Sequence, residues 1–128
     1  MTYNSRLVDY FTSEFYQFEV TNLAHLAAPD FIFTINSSAP MKFEEFEGRR
    51  RFLFLNAAIS HGEFKSTDDA HFFASVEILT LEGDRAIGEI MFNVNDDGLL
   101  QKVDVNYEFT KAEFKTFFDA LFKNYPSA

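Results

Sequence analysis

The chain has 128 residues, enough for one hydrophobic core and too few for two. It sets 20 Asp and Glu against 11 Lys and Arg, and the resulting charge of −9 repels a phosphate backbone and argues against nucleic acid as a partner. It contains no Cys, which excludes disulfides, a thiol nucleophile and thiolate metal sites, while its 18 Phe are an aromatic load that the fold must place.

No apolar run approaches the ~20 residues of a membrane span. The opening MTYNSRLVDYF has no charged stretch followed by an apolar one. A cytoplasmic protein with no membrane partner is the expectation, and residues 1–128 are read as one domain.

Leu7, Val8, Phe11, Phe15 and Phe18 recur at spacings of three and four, the stripe of a first helix. Thr21 can cap a short second helix carrying Leu23, Leu26 and Ala27, ended by Pro29 and Asp30. Residues 31–36 (FIFTIN) are aromatic and β-branched and predict a strand. Residues 37–40 form a turn, and residues 41–46 can return as a short hairpin partner. Gly48 then opens a third helix with Phe52, Leu55 and Ile59 on one face and His61-Gly62 as its stop.

The second half predicts an antiparallel meander of strands 71–81, 85–94 and 99–109. Its second turn, Asn95-Asp96-Asp97-Gly98, suits a type I turn closed by a left-handed glycine. Thr110-Lys111-Ala112-Glu113 is a capping box, and Phe114, Phe117, Phe118, Leu121 and Phe122 then form the stripe of a terminal helix over about 110–124.

Register follows from burial, because a slip of one residue sends every side chain to the wrong face. A three-residue first loop sets Phe72, Ala74, Val76 and Ile78 beside Val94, Phe92, Ile90 and Gly88, whereas a two-residue loop sets Ile78 against Glu89. A four-residue second loop pairs Ile90 with Val103 and Gly88 with Val105. One face is then apolar, with Val76, Ile78, Ile90, Phe92, Val103, Val105 and Tyr107. The other carries Glu77, Glu89 and Asp104 in one row, among Leu79, Met91, Lys102 and Asn106. Three carboxylates abreast suggest a metal or shared-proton site. The alternative is a solvated or subunit-facing surface relieved by Lys102 or by Arg49, Arg50 and Arg51. No histidine falls at matching positions, so no metal and no cofactor is expected.

The segments LVDYFTSEFYQFE, NLAHLAAPDFIFTIN, FEGRRRFLFL and AIGEIMFNVNDDGLLQKVDVNYEF, in this order, resemble the nuclear transport factor 2-like superfamily. That superfamily includes ketosteroid isomerase, scytalone dehydratase and the SnoaL-type cyclases. The resemblance implies an α+β cone: three helices packed in a strongly curved, mostly antiparallel sheet over residues 5–109, with the terminal helix as an addition. It also implies a pocket at the wide end and a homodimer through the outer sheet face. The pocket is expected to use Tyr10, Phe33, Phe52, Leu55, Ile90, Phe92, Val105 and Tyr107. The dimer face is expected to use Glu77, Leu79, Glu89, Met91, Asp104 and Asn106.

In the isomerase branch a Tyr on the first helix, an Asp base after the first strand and a second, protonated Asp carry the chemistry. Tyr10 matches the first of these; Asn36-Ser37-Ser38 stands in the region of the base, and Ile90 stands near the second acid. An amide cannot take a proton, so that mechanism is not expected. His25, His61 and His71 remain as possible bases, with His25 on the short second helix the nearest match to a pocket position, or simply a helix-surface residue. The expected function is a pocket for a small apolar molecule. The alternatives are an isomerase, dehydratase or cyclase using His25, Tyr10 or Asn36, or an interaction module that docks through the Phe-rich terminal helix.

Overall fold

The computed structural model describes residues 2–15, 23–37, 39–80, 83, 85–108, 113, 116 and 119, the side chains of 15, 50–56 and 80 excepted. The first apolar stripe becomes helix α1, Tyr3–Phe15, with Leu7, Val8 and Phe11 buried. The chain then enters a single 3-10 turn, Ala24–Leu26, and strand β1, Ala27–Ile35. A second α-helix was expected around that turn. Pro29 accounts for the difference: it disfavours helical backbone at Ala28, and pairing in the sheet extends the strand back to Ala27.

Helix α2, Phe43–Asn56, starts earlier than the expected Gly48. Of the proposed hairpin partner 41–46, only Met41 pairs, exchanging two 2.9 Å backbone hydrogen bonds with Phe33. Glu44 and Glu45 lie in the first turn of α2, where they complement the helix dipole. The three arginines therefore lie inside the helix, and Arg49 pairs with Glu45 at 3.3 Å one turn back. The helix ends at Asn56, and Ala57 is extended at φ −158°, ψ 159°. Ala57–His61 is strand β2, not the continuation of a helix. Its pairing with the edge of β3 outweighs the helical spacing of Phe52, Leu55 and Ile59.

The meander follows as β3, His71–Thr80; β4, Arg85–Val94; and β5, Leu100–Tyr107. The strands form one sheet in the order β1-β5-β4-β3-β2, antiparallel except for β1 against β5, and it curls into a half-barrel. The expected faces hold, but both hairpins slip by two residues. Phe72 stands beside Phe92, Ala74 beside Ile90, and Val76 beside Gly88. Ile90 stands beside Val105, and Gly88 beside Tyr107. A slip of two preserves the alternation, so burial cannot detect it. Gly98 takes the left-handed φ of 75° that the second turn requires, while Asn95 Oδ1 accepts from the amides of Asp97 and Leu99 at 3.0 Å each.

Before the meander, the described residues hold two α-helices rather than three, with the 3-10 turn in place of one. Glu113, Thr116 and Asp119 are helical and exposed. The stripe predicted for the terminal helix (Phe114, Phe117, Phe118, Leu121 and Phe122) lies outside the described residues.

The core fills the concave side of the sheet, and phenylalanine rings cross it in sequence. Phe64 meets Phe92 edge-on at 5.2 Å, Phe92 meets Phe11 at 5.7 Å, and Phe11 stacks on Phe46 at 6.4 Å. Phe46 in turn lies 4.6 Å from Phe33 and 5.6 Å from Phe31. The rings thus tie α1 and α2 to both sides of the curl, each pair contributing about 0.5–1.5 kcal/mol beyond its buried area.

Candidate functional site on the concave face

Inward side chains of the sheet fall into transverse rows. Phe72, Phe92, Val103 and Phe33 make a bulky row, and Ala74, Ile90, Val105 and Ile35 make the next. The third row runs His61, Val76, Gly88, Tyr107, with a small side chain at Val76 and none at Gly88, and Val76 and Tyr107 are buried.

Five of the expected pocket residues gather on this face. Ile90, Phe92, Val105 and Tyr107 are buried in one cluster, and Phe33 packs against it half-buried. The side chains of Phe52 and Leu55 lie outside the described residues. Tyr10 does not join them: on the flank of α1 its ring is 46% exposed. The heptad angle of a surface position explains this, since Leu7, Val8 and Phe11 already occupy the buried side of the helix.

The three candidate reactive residues are dispersed. His25 is exposed on the 3-10 turn. Asn36 follows β1 with a left-handed φ of 47° and acts as a structural clasp. Its Oδ1 accepts from the Tyr107 amide at 2.7 Å, and its Nδ2 donates to the Tyr107 carbonyl at 2.9 Å. Its own amide donates to the Val105 carbonyl at 2.8 Å. Both ends of the Asn36 amide are thus bonded to the backbone of Tyr107.

His61, read from the sequence as the stop of a helix, is instead the last residue of an edge strand. Alternation places it on the concave side, two positions beyond Ile59, which stands opposite the fully buried Ile78. Its ring lies 5.1 Å from that of Phe64. Its Nδ1 lies 2.8 Å from the Gly62 carbonyl, which can only accept, so Nδ1 carries the hydrogen of the bond. The pattern AAISH fits a helix end as well as a strand, and only its pairing with β3 decides between them.

The third histidine, His71, begins β3 on the outer face, and its Nδ1 lies 2.7 Å from Asp68 Oδ2. Asp68 also accepts from the amides of His71 at 2.8 Å and Ala70 at 2.9 Å. These backbone donors, then the imidazole, hold its carboxyl well below the usual carboxylate range.

The outer face carries all six residues expected at a dimer contact, but not the row of three carboxylates. The two-residue slip sets Glu77 beside Ile87, Glu89 between Ser75 and Asn106, and Asp104 beside Met91. Like charges are thereby kept from directly opposite positions. Glu77 pairs with Arg85 at 2.9 Å. Asp104 accepts from Thr34 at 2.6 Å and from Asn106 at 3.1 Å. Among the described residues no three acidic or histidine side chains converge as metal ligands would. Phe73, Leu79 and Ile87 are 43%, 45% and 47% exposed on this same face.

No protein-family model matches the chain, and no curated protein matches it by sequence. Solved structures do. A steroid delta-isomerase from Pseudomonas aeruginosa superposes with a TM-score of 0.76 at 11% identity, covering 94% of this chain and 90% of that one. A putative isomerase of the SnoaL-like family from Agrobacterium tumefaciens gives 0.62 at 13% identity, covering 85% and 100%. A de novo designed protein with a curved β-sheet gives 0.71 at 14% identity, covering 94% and 97%. The chain therefore has the cystatin-like, nuclear transport factor 2-like fold. The designed neighbour makes plain that the fold by itself carries no function.

Proposed function

We propose that this protein binds a small apolar molecule on the concave face of its half-barrel, and that it does so as a homodimer through the outer sheet face. The observation that carries the first part is the gathering of Phe33, Ile90, Phe92, Val105 and Tyr107 on one apolar face of the curled sheet. A concave apolar surface with few polar groups is the usual form of a small-molecule site. The dimer part is supported by the three large apolar side chains exposed on the outer face.

A second reading, catalysis on such a molecule, is favoured by one observation. Several structures with this fold are named as a steroid delta-isomerase, a SnoaL-like isomerase and an epoxide hydrolase/cyclase-like enzyme. Tyr10 is exposed and Asn36 is held by backbone, so neither supports that reading. Binding is the better-supported function.

Titration calorimetry with naphthalene-sized apolar compounds tests it. Saturable binding at one site per chain is expected. A set of such compounds giving no heat and no change in stability would remove the basis for the proposal.

A further inference from the structure

We propose that the Asp97-Gly98 step is this chain's site of spontaneous backbone isomerisation, and that Asn95 sets the rate by holding the turn closed. The reaction needs only water. The nitrogen of the residue after an Asp or Asn attacks the side-chain carbonyl carbon. A five-membered imide forms, and water leaves from Asp or ammonia from Asn. Water then opens the imide at either carbonyl. One opening restores Asp; the other gives isoaspartate, in which the chain runs through the side-chain carbon and the original α-carboxyl is free. A following glycine favours the step, because no Cβ obstructs the nitrogen. Asp97-Gly98 is the chain's one Asp-Gly step, Asn-Gly is absent, and Asn4-Ser5 and Asn36-Ser37 are the nearest competitors.

The structure separates the three. Asn4 lies in α1, and the Ser5 amide, the attacking nitrogen there, donates to Thr2 Oγ1 at 3.1 Å. The Asn36 side chain is bonded at both ends to Tyr107 and cannot turn onto the Ser37 nitrogen without breaking both bonds. Asp97 is exposed in its turn, and the hydrogen bonds that hold the turn come from Asn95, not from the Asp97 carboxylate. Here the nitrogen is the restrained partner. The Gly98 N–H donates to the Asn95 carbonyl at 3.0 Å, the bond that closes a four-residue turn. Asn95 Oδ1 accepts from the Asp97 and Leu99 amides at 3.0 Å each, pinning the backbone on both sides of Gly98. Ring closure requires rotation about the Asp97 Cα–C bond, which carries the Gly98 nitrogen off Asn95. Isomerisation therefore waits on local opening of the turn. Its product also disturbs the packing, since isoaspartate puts an extra methylene into the backbone. Gly98 lies so close to the Tyr3 ring that a Cβ there would come within 3.0 Å of Cε1, so a displaced Gly98 loses its seat against the start of α1.

The test ages the full chain in warm neutral buffer, folded and in unfolding urea, beside folded Asn95→Ala and Asp97→Ser. Isoaspartate is counted with a methyltransferase specific for its free α-carboxyl and placed by fragmentation mass spectrometry. In the folded unaltered chain it is expected at residue 97 before any other position, and Asp97→Ser should lack it. Urea, and separately Asn95→Ala, should each raise the rate at residue 97 by at least about fivefold, the worth of one neutral hydrogen bond. The aged unaltered chain should melt below the fresh one, while aged Asp97→Ser should not. Isoaspartate appearing first at another residue would overturn the site. Equal rates at residue 97 in the folded and urea-unfolded chain would overturn control by the turn, and that comparison holds whether or not Asn95→Ala folds. None of these readouts involves the concave face, so the result is independent of ligand binding there.

Discussion

Asn36 and Tyr107 close the sheet together: the side-chain amide of Asn36 accepts from the Tyr107 N–H at 2.7 Å and donates to its carbonyl at 2.9 Å. The side chain thereby continues the parallel β1–β5 ladder one step past Ile35, where β1 itself ends. The same contact holds Tyr107 in the third row of the concave face. Asn36 is thus a part of the scaffold.

Asn36→Ala removes both hydrogen bonds and leaves a Cβ residue at φ 47° without its local support. A loss of about 2–4 kcal/mol is expected from the two bonds and the left-handed backbone together. Asn36→Gly relieves the backbone but not the bonds, so it should lose less. Urea denaturation of both variants checks the order, and equal losses would show that the backbone conformation contributes nothing.

The sheet leaves no room for a side chain at Gly88. A Cβ there meets the Asn106 carbonyl oxygen and comes within 2.8 Å of the Tyr107 Cα, both backbone atoms that cannot swing away. Gly88→Ala is expected to cost at least about 1–3 kcal/mol, the range of an overpacked interior. The neighbouring Ala86→Gly change should be far milder. Thermal unfolding of the two variants separates a specific need for glycine at residue 88 from general sensitivity of β4.

Much of this architecture was legible in the sequence. The stripe of Leu7, Val8 and Phe11 and the alternation of the meander gave α1, β3, β4, β5 and the correct inward faces. The register was not legible, because a slip of two leaves every face unchanged and only the loops and Gly88 distinguish the alternatives. His61 was hidden for another reason. Its strand has five residues, and what makes it extended is the free edge of β3, a partner distant in sequence. Asn36 was placed correctly in the chain, but its hydrogen bonds to Tyr107 span 71 positions and no local pattern records them.

The turn before β3 should resist acid. Asp68 is depressed by the amides of His71 and Ala70 and by the His71 imidazole, so the folded turn favours its ionised form. A depressed carboxyl contributes stability above its unfolded value, and that contribution is lost only as pH falls through the folded value. The Ala70 and His71 amide resonances should therefore keep their bonded positions through about pH 4, where ordinary aspartates begin to protonate, and move only well below it. In Asp68→Asn they should differ from the unaltered chain at every pH. Movement centred near pH 4 in the unaltered chain would contradict the assignment.

On the outer face, Ile87→Glu adds a charge among Phe73, Leu79 and Ile87 without touching the core. Light scattering at micromolar concentration is expected to give a dimer for the unaltered chain and a monomer for the variant, with the circular dichroism of the fold retained. A monomer from the unaltered chain would leave these apolar side chains as ordinary surface.

The central claim, an apolar molecule bound on the concave face, is tested most directly by a thermal-shift titration with naphthalene-class compounds on the unaltered chain. A ligand that binds only the folded state adds about 2.7 kcal/mol at a hundred times its dissociation constant, which raises the melting temperature of a domain this size by several degrees. Such a rise, saturating with concentration, is the expected result. A melting temperature unmoved by every compound, with the chain shown to be folded, would contradict it.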